Sequence, residues 1–121
     1  MKVPYPDVEQ LYTAAMPTGE PILDETVGYL RRSQVITPAD LALLMDVEKR
    51  HLYGAIRLLT GLPLGDFITR WRLAQARDLL HHAPYAAIAR RTQRLDAVAR
   101  RCGWRSYRVM LPVARRYGYE L

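Results

Sequence analysis

The sequence is poor in cysteine and has no long apolar run, and each absence excludes a class of protein. The one cysteine, Cys102, cannot form an intramolecular disulfide. We interpret it as a buried thiol that packs as a small apolar side chain. No apolar run approaches the roughly 18 residues that a membrane span requires, and no signal peptide is visible. We therefore expect a cytoplasmic protein with no membrane partner.

The residue patterns that mark the common enzyme classes are also missing. The sequence has no paired-carboxylate constellation, no nucleophile elbow, no glycine-rich phosphate loop and no metal-ligand spacing. The adjacent His81 and His82 cannot face one metal ion from a helix, and no cysteine or carboxylate cluster accompanies them. We predict no catalytic residue, no metal, no cofactor and therefore no enzyme.

Lysine is scarce as well, because 16 of the 18 basic residues are arginine. The net charge of +6 is uneven: residues 1–28 carry one lysine against five acids, and residues 29–121 carry 17 basic against seven acidic residues. Arginine forms forked contacts with phosphate and guanine, although a high-GC genome would also enrich it. A strongly basic folded part favours a polyanionic partner, nucleic acid before membrane.

What the sequence does contain is a helix pair between Thr37 and Gly61. Thr37 is a suitable N-cap, Pro38 suits the first helical position, and Gly61 suits the residue after the last turn. Residues 46–48 form the predicted turn. The apolar faces of the two helices are predicted to consist of Leu41, Ala42, Leu44 and Met45, and of Leu52, Ala55, Ile56 and Leu59.

The outward face of the second helix is basic and carries one aromatic residue. It consists of Lys49, Arg50, Tyr53, Gly54 and Arg57. A short helix pair with such a second helix is typical of a helix-turn-helix, in which this helix enters the DNA major groove. An ordinary helical hairpin with a solvated basic face is the alternative.

A second copy of this pair begins 57 positions later, from Leu95 to Gly118. The shift places Leu41-Ala42 on Val98-Ala99, Val47 on Trp104, Leu52 on Val109, Ile56 on Val113 and Gly61 on Gly118. It therefore predicts that Val109 and Val113 are buried and that Tyr107, Met110 and Leu111 face outward. Ser106 is the predicted cap, and Pro112 should shorten or bend the last helix.

The order of these motifs resembles a known family. The motifs are DLA-x4-V-x4-L-x3-I-x4-G, then RL-x2-A-x2-LL from Arg72 to Leu80, then VA-x2-CGW. Together, from about Thr26 to Gly118, they resemble the DNA-binding domain of AraC-type transcriptional regulators, with a divergent second module. The resemblance implies an all-α fold in which one long helix joins two helix-turn-helix modules that dock into neighbouring major-groove segments. In the second module the spacing from Ala99 to its anchor Val109 is one residue short of the family pattern.

The outward face of the second helix and the arginines near it give the predicted DNA contacts. We predict base contacts from Arg50, Tyr53 and Gly54, with sequence read mainly by residues 49–60 of a monomer on double-stranded DNA. The predicted phosphate contacts are Lys49, Arg57, Arg72, Arg105, Arg108 and Arg115, although a structural role for Arg72 is equally open.

Residues 1–21 hold four of the eight prolines and are predicted to form an arm outside the domain of residues 22–121. The arm contains a possible short helix over residues 7–16 and should be dispensable for folding. It is far smaller than an AraC-type effector domain, so we expect a regulator without one. Within the domain, the sequence predicts a first helix over residues 22–33 and the long helix over residues 64–82.

A second function is open. The outward run Met110-Leu111-Pro112 stands where polar base readers are expected, and an exposed apolar patch usually marks a partner surface. The chain could then be a protein-interaction module on a decayed helix-turn-helix scaffold, with its partner bound at Met110 and Leu111.

Overall fold

The computed structural model describes residues 2–121, and over that range the protein is all-α, as predicted. The helices are α1 (Val8–Thr13), α2 (Pro21–Arg32), α3 (Pro38–Met45), α4 (Lys49–Thr60), α5 (Leu64–Leu79), a 3-10 turn (Tyr85–Ala87), α6 (Arg91–Arg101) and α7 (Tyr107–Arg116). The described residues contain no strand. The long helix ends three residues earlier than the predicted His82.

The described chain divides into two compact units, one up to Trp71 and one from Arg72 to Leu121. Helix α5 contains this boundary, so its first half belongs to the first unit and its second half to the second. The first unit therefore contains α1 to α4, and the second contains α6 and α7.

The core of the first unit is continuous and built from all five of its helical segments. Its fully buried apolar side chains are Leu23, Leu30, Leu41, Leu52, Ile56, Leu64, Phe67, Ile68 and Trp71. The predicted helix ends are confirmed. The hydroxyl of Thr37 accepts a hydrogen bond from the Asp40 amide at 3.2 Å. Gly61 adopts a φ of 77°, and its amide donates to the Arg57 carbonyl.

The N-terminal segment is part of this core. Asp7 caps α1 by accepting from the Glu9 and Gln10 amides, and α1 then buries Val8 and Leu11. The Tyr5 amide donates to the Leu59 carbonyl at 2.9 Å, near the end of α4. The sequence predicts that residues 1–21 are dispensable for folding. Because of these contacts, we expect instead that removing the segment lowers the stability of the first unit.

Each helix pair is joined by the same kind of turn, and here the 57-residue repeat is confirmed. Asp46 and Gly103 both have positive φ, 54° and 99°. The Val47 amide donates to the Ala42 carbonyl at 3.1 Å, and the Trp104 amide donates to the Ala99 carbonyl at 2.9 Å. This bond pattern around a left-handed residue terminates a helix and reverses the chain.

Beyond the turn the repeat slips by one residue. Met110 and Ala114 are buried, whereas Val109 is 40% exposed and Val113 is half-buried. The predicted anchors Val109 and Val113 are therefore wrong. The reason is that α7 begins four residues after its left-handed turn residue, while α4 begins three residues after its own.

Helix α7 runs through Pro112 but has only ten residues, against twelve in α4. Proline cannot donate to the Arg108 carbonyl one turn earlier, and its exposed position leaves that carbonyl open to water. The predicted capping bond from Ser106 is absent. Asp96 on α6 replaces it, because its carboxylate accepts from the Tyr107 amide at 3.1 Å.

Candidate nucleic-acid interface

The exposed side of α4 carries the predicted reading residues. Leu52 and Ile56 are fully buried on one side of this helix, and Leu59 is nearly so. Arg50, Tyr53, Gly54 and Arg57 are all exposed on the other side, and their spacing places them on one helical stripe. Lys49 is exposed in the first turn. We call these five residues the α4 stripe; three of them are cationic side chains and one is an aromatic hydrogen-bonding side chain.

Gly54 lies in the middle of this stripe, and the packing around it does not require a glycine at this position. A Cβ atom built on it would have no other atom within 4 Å, so a larger residue would fit. Glycine inside a helix costs about 1 kcal/mol of stability relative to alanine. Its presence here bares the helix backbone between Tyr53 and Arg57, where a close-fitting partner could reach it.

The exposed side of the second helix pair is dominated by arginine. Arg105, Arg108 and Arg115, all predicted phosphate contacts, are exposed, and so is Arg116. Helical spacing places Arg108, Arg115 and Arg116 on one side of α7, opposite the buried Met110 and Ala114, and Arg105 lies two residues before the helix. We call these four arginines the arginine stripe.

The predicted protein-binding patch at Met110 and Leu111 is not exposed. Met110 is 0% exposed and Leu111 is half-buried. The error follows from the one-residue slip in α7, which turns Met110 inward. The residues that this slip brings outward are Val109 and Pro112.

Arg72 cannot contact phosphate as predicted, because its side chain is 0% exposed. Its guanidinium donates to the Gln75 side-chain oxygen at 3.0 Å. Burial lowers the pKa of Arg72 to about 10, which still leaves it charged at neutral pH. Its role is in the interior of the second unit.

Cys102 is buried in the second unit, in keeping with its interpretation as a packing residue. Burial raises the pKa of its thiol to about 12, although the charges of Arg72 and Arg101 act in the opposite direction. Because the thiolate is the reactive form, this cysteine is unreactive at neutral pH.

Asp96 is a structural residue that the sequence reasoning missed. Besides holding the start of α7, it forms an ion pair with Arg100 at 3.0 Å on its own helix. The signal was a single acid in the arginine-rich stretch 90–101, at a spacing of four from Arg100.

Within residues 2–121, no helix has the length and apolarity needed to cross a bilayer. In the same range, no three histidine, cysteine or acidic side chains come together as metal ligands would.

No family model, no curated protein and no solved structure matches this chain.

Proposed function

We propose that this protein is a sequence-specific DNA-binding transcriptional regulator, similar to the AraC type, that reads the major groove mainly with α4. The observation that carries the proposal is the α4 stripe. Arg50, Tyr53 and Arg57 are exposed on one side of a helix whose opposite side belongs to a packed core, and Lys49 is exposed at its first position. A rigidly held helix of this kind is the element that helix-turn-helix proteins insert into the groove.

Each residue of the α4 stripe has a suitable chemistry. Arg50 can donate two hydrogen bonds to the edge of a guanine, and Tyr53 can add a hydroxyl contact. Gly54 lets the helix backbone come close to the bases. Lys49 and Arg57, at the two ends of the stripe, are placed to hold phosphates and so fix the register of the helix.

The arginine stripe supports a second contact, to the DNA backbone. Its four arginines are exposed on α7 and just before it, and the other exposed residues of that side, Val109 and Pro112, offer no hydrogen-bonding side chain. Contacts of this composition supply affinity that depends on salt rather than on sequence.

The test is a selection of bound sequences from a random double-stranded DNA pool, followed by fluorescence anisotropy on the enriched site. We expect a common motif, and we expect Arg50→Ala to relax the preference at one or two of its positions. The matched control is Arg32→Ala. Arg32 is an exposed arginine of α2 that lies over the Tyr29 ring and is not part of the α4 stripe. Absence of any enriched motif, together with equal binding by both variants, would reject the proposal.

An interaction module is the second candidate, and it now rests on other residues. Leu43 is 79% exposed on α3, and beside it Leu44, which was predicted on the buried face, is 48% exposed. Two adjacent exposed leucines on one helix favour a protein contact there. Salt separates the two functions: DNA affinity should fall steeply as salt rises, whereas a contact through leucine should not.

A further inference from the structure

The second unit contains an arginine-lined cleft that the proposed DNA contacts do not use. Its volume is about 550 Å³, within the range of small-molecule sites. Three arginines, Arg77, Arg91 and Arg94, line it together with Leu80 and Leu95. One acid, Glu120, stands at the same cleft.

The charge in this cleft is not balanced. Three arginines face one glutamate, and the balance stays positive even if a carboxylate at Leu121 is counted. Arg94 donates to the Ile88 carbonyl at 3.1 Å, and Arg91 donates to the main-chain oxygen of Leu121 at 2.8 Å. Each guanidinium carries five N–H groups, so these bonds orient the two side chains and leave further donors available.

Without a bound anion, the positions of Arg91 and Arg94 at the start of α6 destabilise this helix. Arg91 and Arg94 lie in its first turn, and its N-cap residue, Arg90, provides no capping bond. Cations at a helix N-terminus oppose the helix dipole, whereas an anion there is stabilising. Positions that break local rules in this way tend to be functional sites.

The cleft lies on the side of α6 that faces away from the start of α7. Thr92, Gln93 and Asp96 line a separate surface pocket with Tyr107 and Arg108. Arg91, Arg94 and Leu95 project from the opposite side of the same helical turns. The cleft is therefore distinct from Arg108 and the arginine stripe.

We infer that this cleft binds a small organic anion. A carboxylate or phosphate monoester would lie between Arg91 and Arg94, and a compact apolar body would lie against Leu80 and Leu95. The inference does not depend on the proposed DNA-binding function.

The test uses the full chain, isothermal titration calorimetry and three probes. Phenyl phosphate and benzoate carry an anion on an apolar ring, and benzyl alcohol is the neutral counterpart. We expect at least one anion to bind with a Kd tighter than about 1 mM, and benzyl alcohol to bind at least about tenfold more weakly. Inorganic phosphate should also bind more weakly, because it has no apolar body.

Arg91→Gln and Arg94→Gln should each weaken anion binding by about tenfold or more, since each removes a charged donor. Arg32→Gln, which changes an exposed arginine of α2 outside both stripes, is the control and should leave anion binding unchanged. If a cleft variant fails to fold, methyl NMR of the original chain decides instead: Leu80 and Leu95 should shift with the bound anion, and Leu43 should not.

Three results would overturn the inference. The first is no binding of either organic anion, and the second is an equal loss of anion binding in the Arg32→Gln control. The third is a set of cleft variants that weaken binding to the selected DNA site as strongly as to phenyl phosphate. That outcome would show that the cleft holds a backbone phosphate of DNA.

Discussion

The two units of this protein carry opposite charge. Up to Trp71 the chain has seven basic and nine acidic residues, whereas from Arg72 to Leu121 it has eleven basic and three acidic residues. All eleven basic residues of the second unit are arginine, and only Arg72 is buried. The first unit nevertheless carries the chemically mixed α4 stripe, while the second presents a stripe of one residue type.

This difference separates affinity from specificity in the proposed function. The attraction of a polyanion depends on the number of cations that reach its phosphates, which favours the second unit. Discrimination between base pairs depends on varied, well-placed donors and on close approach, which favours the first. We therefore expect the second unit to supply most of the salt-dependent affinity and the first to supply most of the sequence preference.

The largest effect should come from neutralising the arginine stripe. Changing Arg105, Arg108, Arg115 and Arg116 to glutamine together should lower the slope of log affinity against log salt by roughly 3 to 4. At physiological salt the affinity for the selected DNA site should fall by roughly a thousandfold, with the sequence preference unchanged.

The matched variant in the first unit changes Lys49 and Arg57 to glutamine and should lower the same slope by about 2. Anisotropy titrations at several salt concentrations measure both slopes. A slope lowered as much by the Lys49 and Arg57 variant as by the arginine-stripe variant would contradict this division of affinity between the units.

The next effect concerns the N-terminal segment and the stability of the first unit. Leu11→Ala removes a buried side chain and should lower the free energy of unfolding by about 2–3 kcal/mol, through lost burial and the cavity left behind. Met16→Ala is the control, because Met16 is highly exposed. Urea unfolding followed by circular dichroism measures the free energy of unfolding of both variants. If Leu11→Ala is as stable as Met16→Ala, the N-terminal segment is dispensable for folding.

A third effect separates reading from holding within the α4 stripe. Arg50→Ala and Tyr53→Ala should each cost about 1–3 kcal/mol of binding free energy and relax the sequence preference. Arg57→Ala should instead weaken all sequences evenly and lower the salt slope by about 1. Binding affinities for the selected DNA site and for point variants of that site distinguish these patterns. If the Arg50 and Tyr53 variants bind the selected site with unchanged affinity, α4 does not lie in the groove.

Local sequence signals predicted the first unit well. Thr37, Pro38 and Gly61 each act over one helical turn, so caps and helix ends could be identified without knowledge of the packing. Leu52 and Ile56 were correctly predicted as buried because an unbroken helical period connects them. The sequence did not predict that Val8 and Leu11 belong to the core needed for folding, because their burial depends on contacts with residues distant in sequence.

The second unit was predicted less well for two physical reasons. A rigid 57-residue shift assumes equal turn lengths, and one extra residue rotates α7 so that Met110 replaces Val109 in the core. For Arg72 the phosphate contact is wrong and the structural alternative agrees with its burial, but a single sequence does not show that Gln75 satisfies an arginine in the interior. The arginine-lined cleft could not be predicted at all, since it combines residues 77 to 121.

The smallest effect is also the most direct test of why the two stripes differ. Gly54 weakens α4, and nothing in the first unit requires a glycine there, so Gly54→Ala should raise the free energy of unfolding by about 0.5–1 kcal/mol. If the bases approach the bare backbone, the same methyl group should lower affinity for the selected site. Gly65→Ala, at the start of α5, is the matched control. A Cβ on Gly65 would make an ordinary contact with Pro38 at 3.8 Å. Urea unfolding and anisotropy on both variants decide the matter: a gain in stability with a loss of binding for Gly54→Ala alone would identify a glycine kept for DNA, whereas undiminished binding would show that α4 is not approached closely.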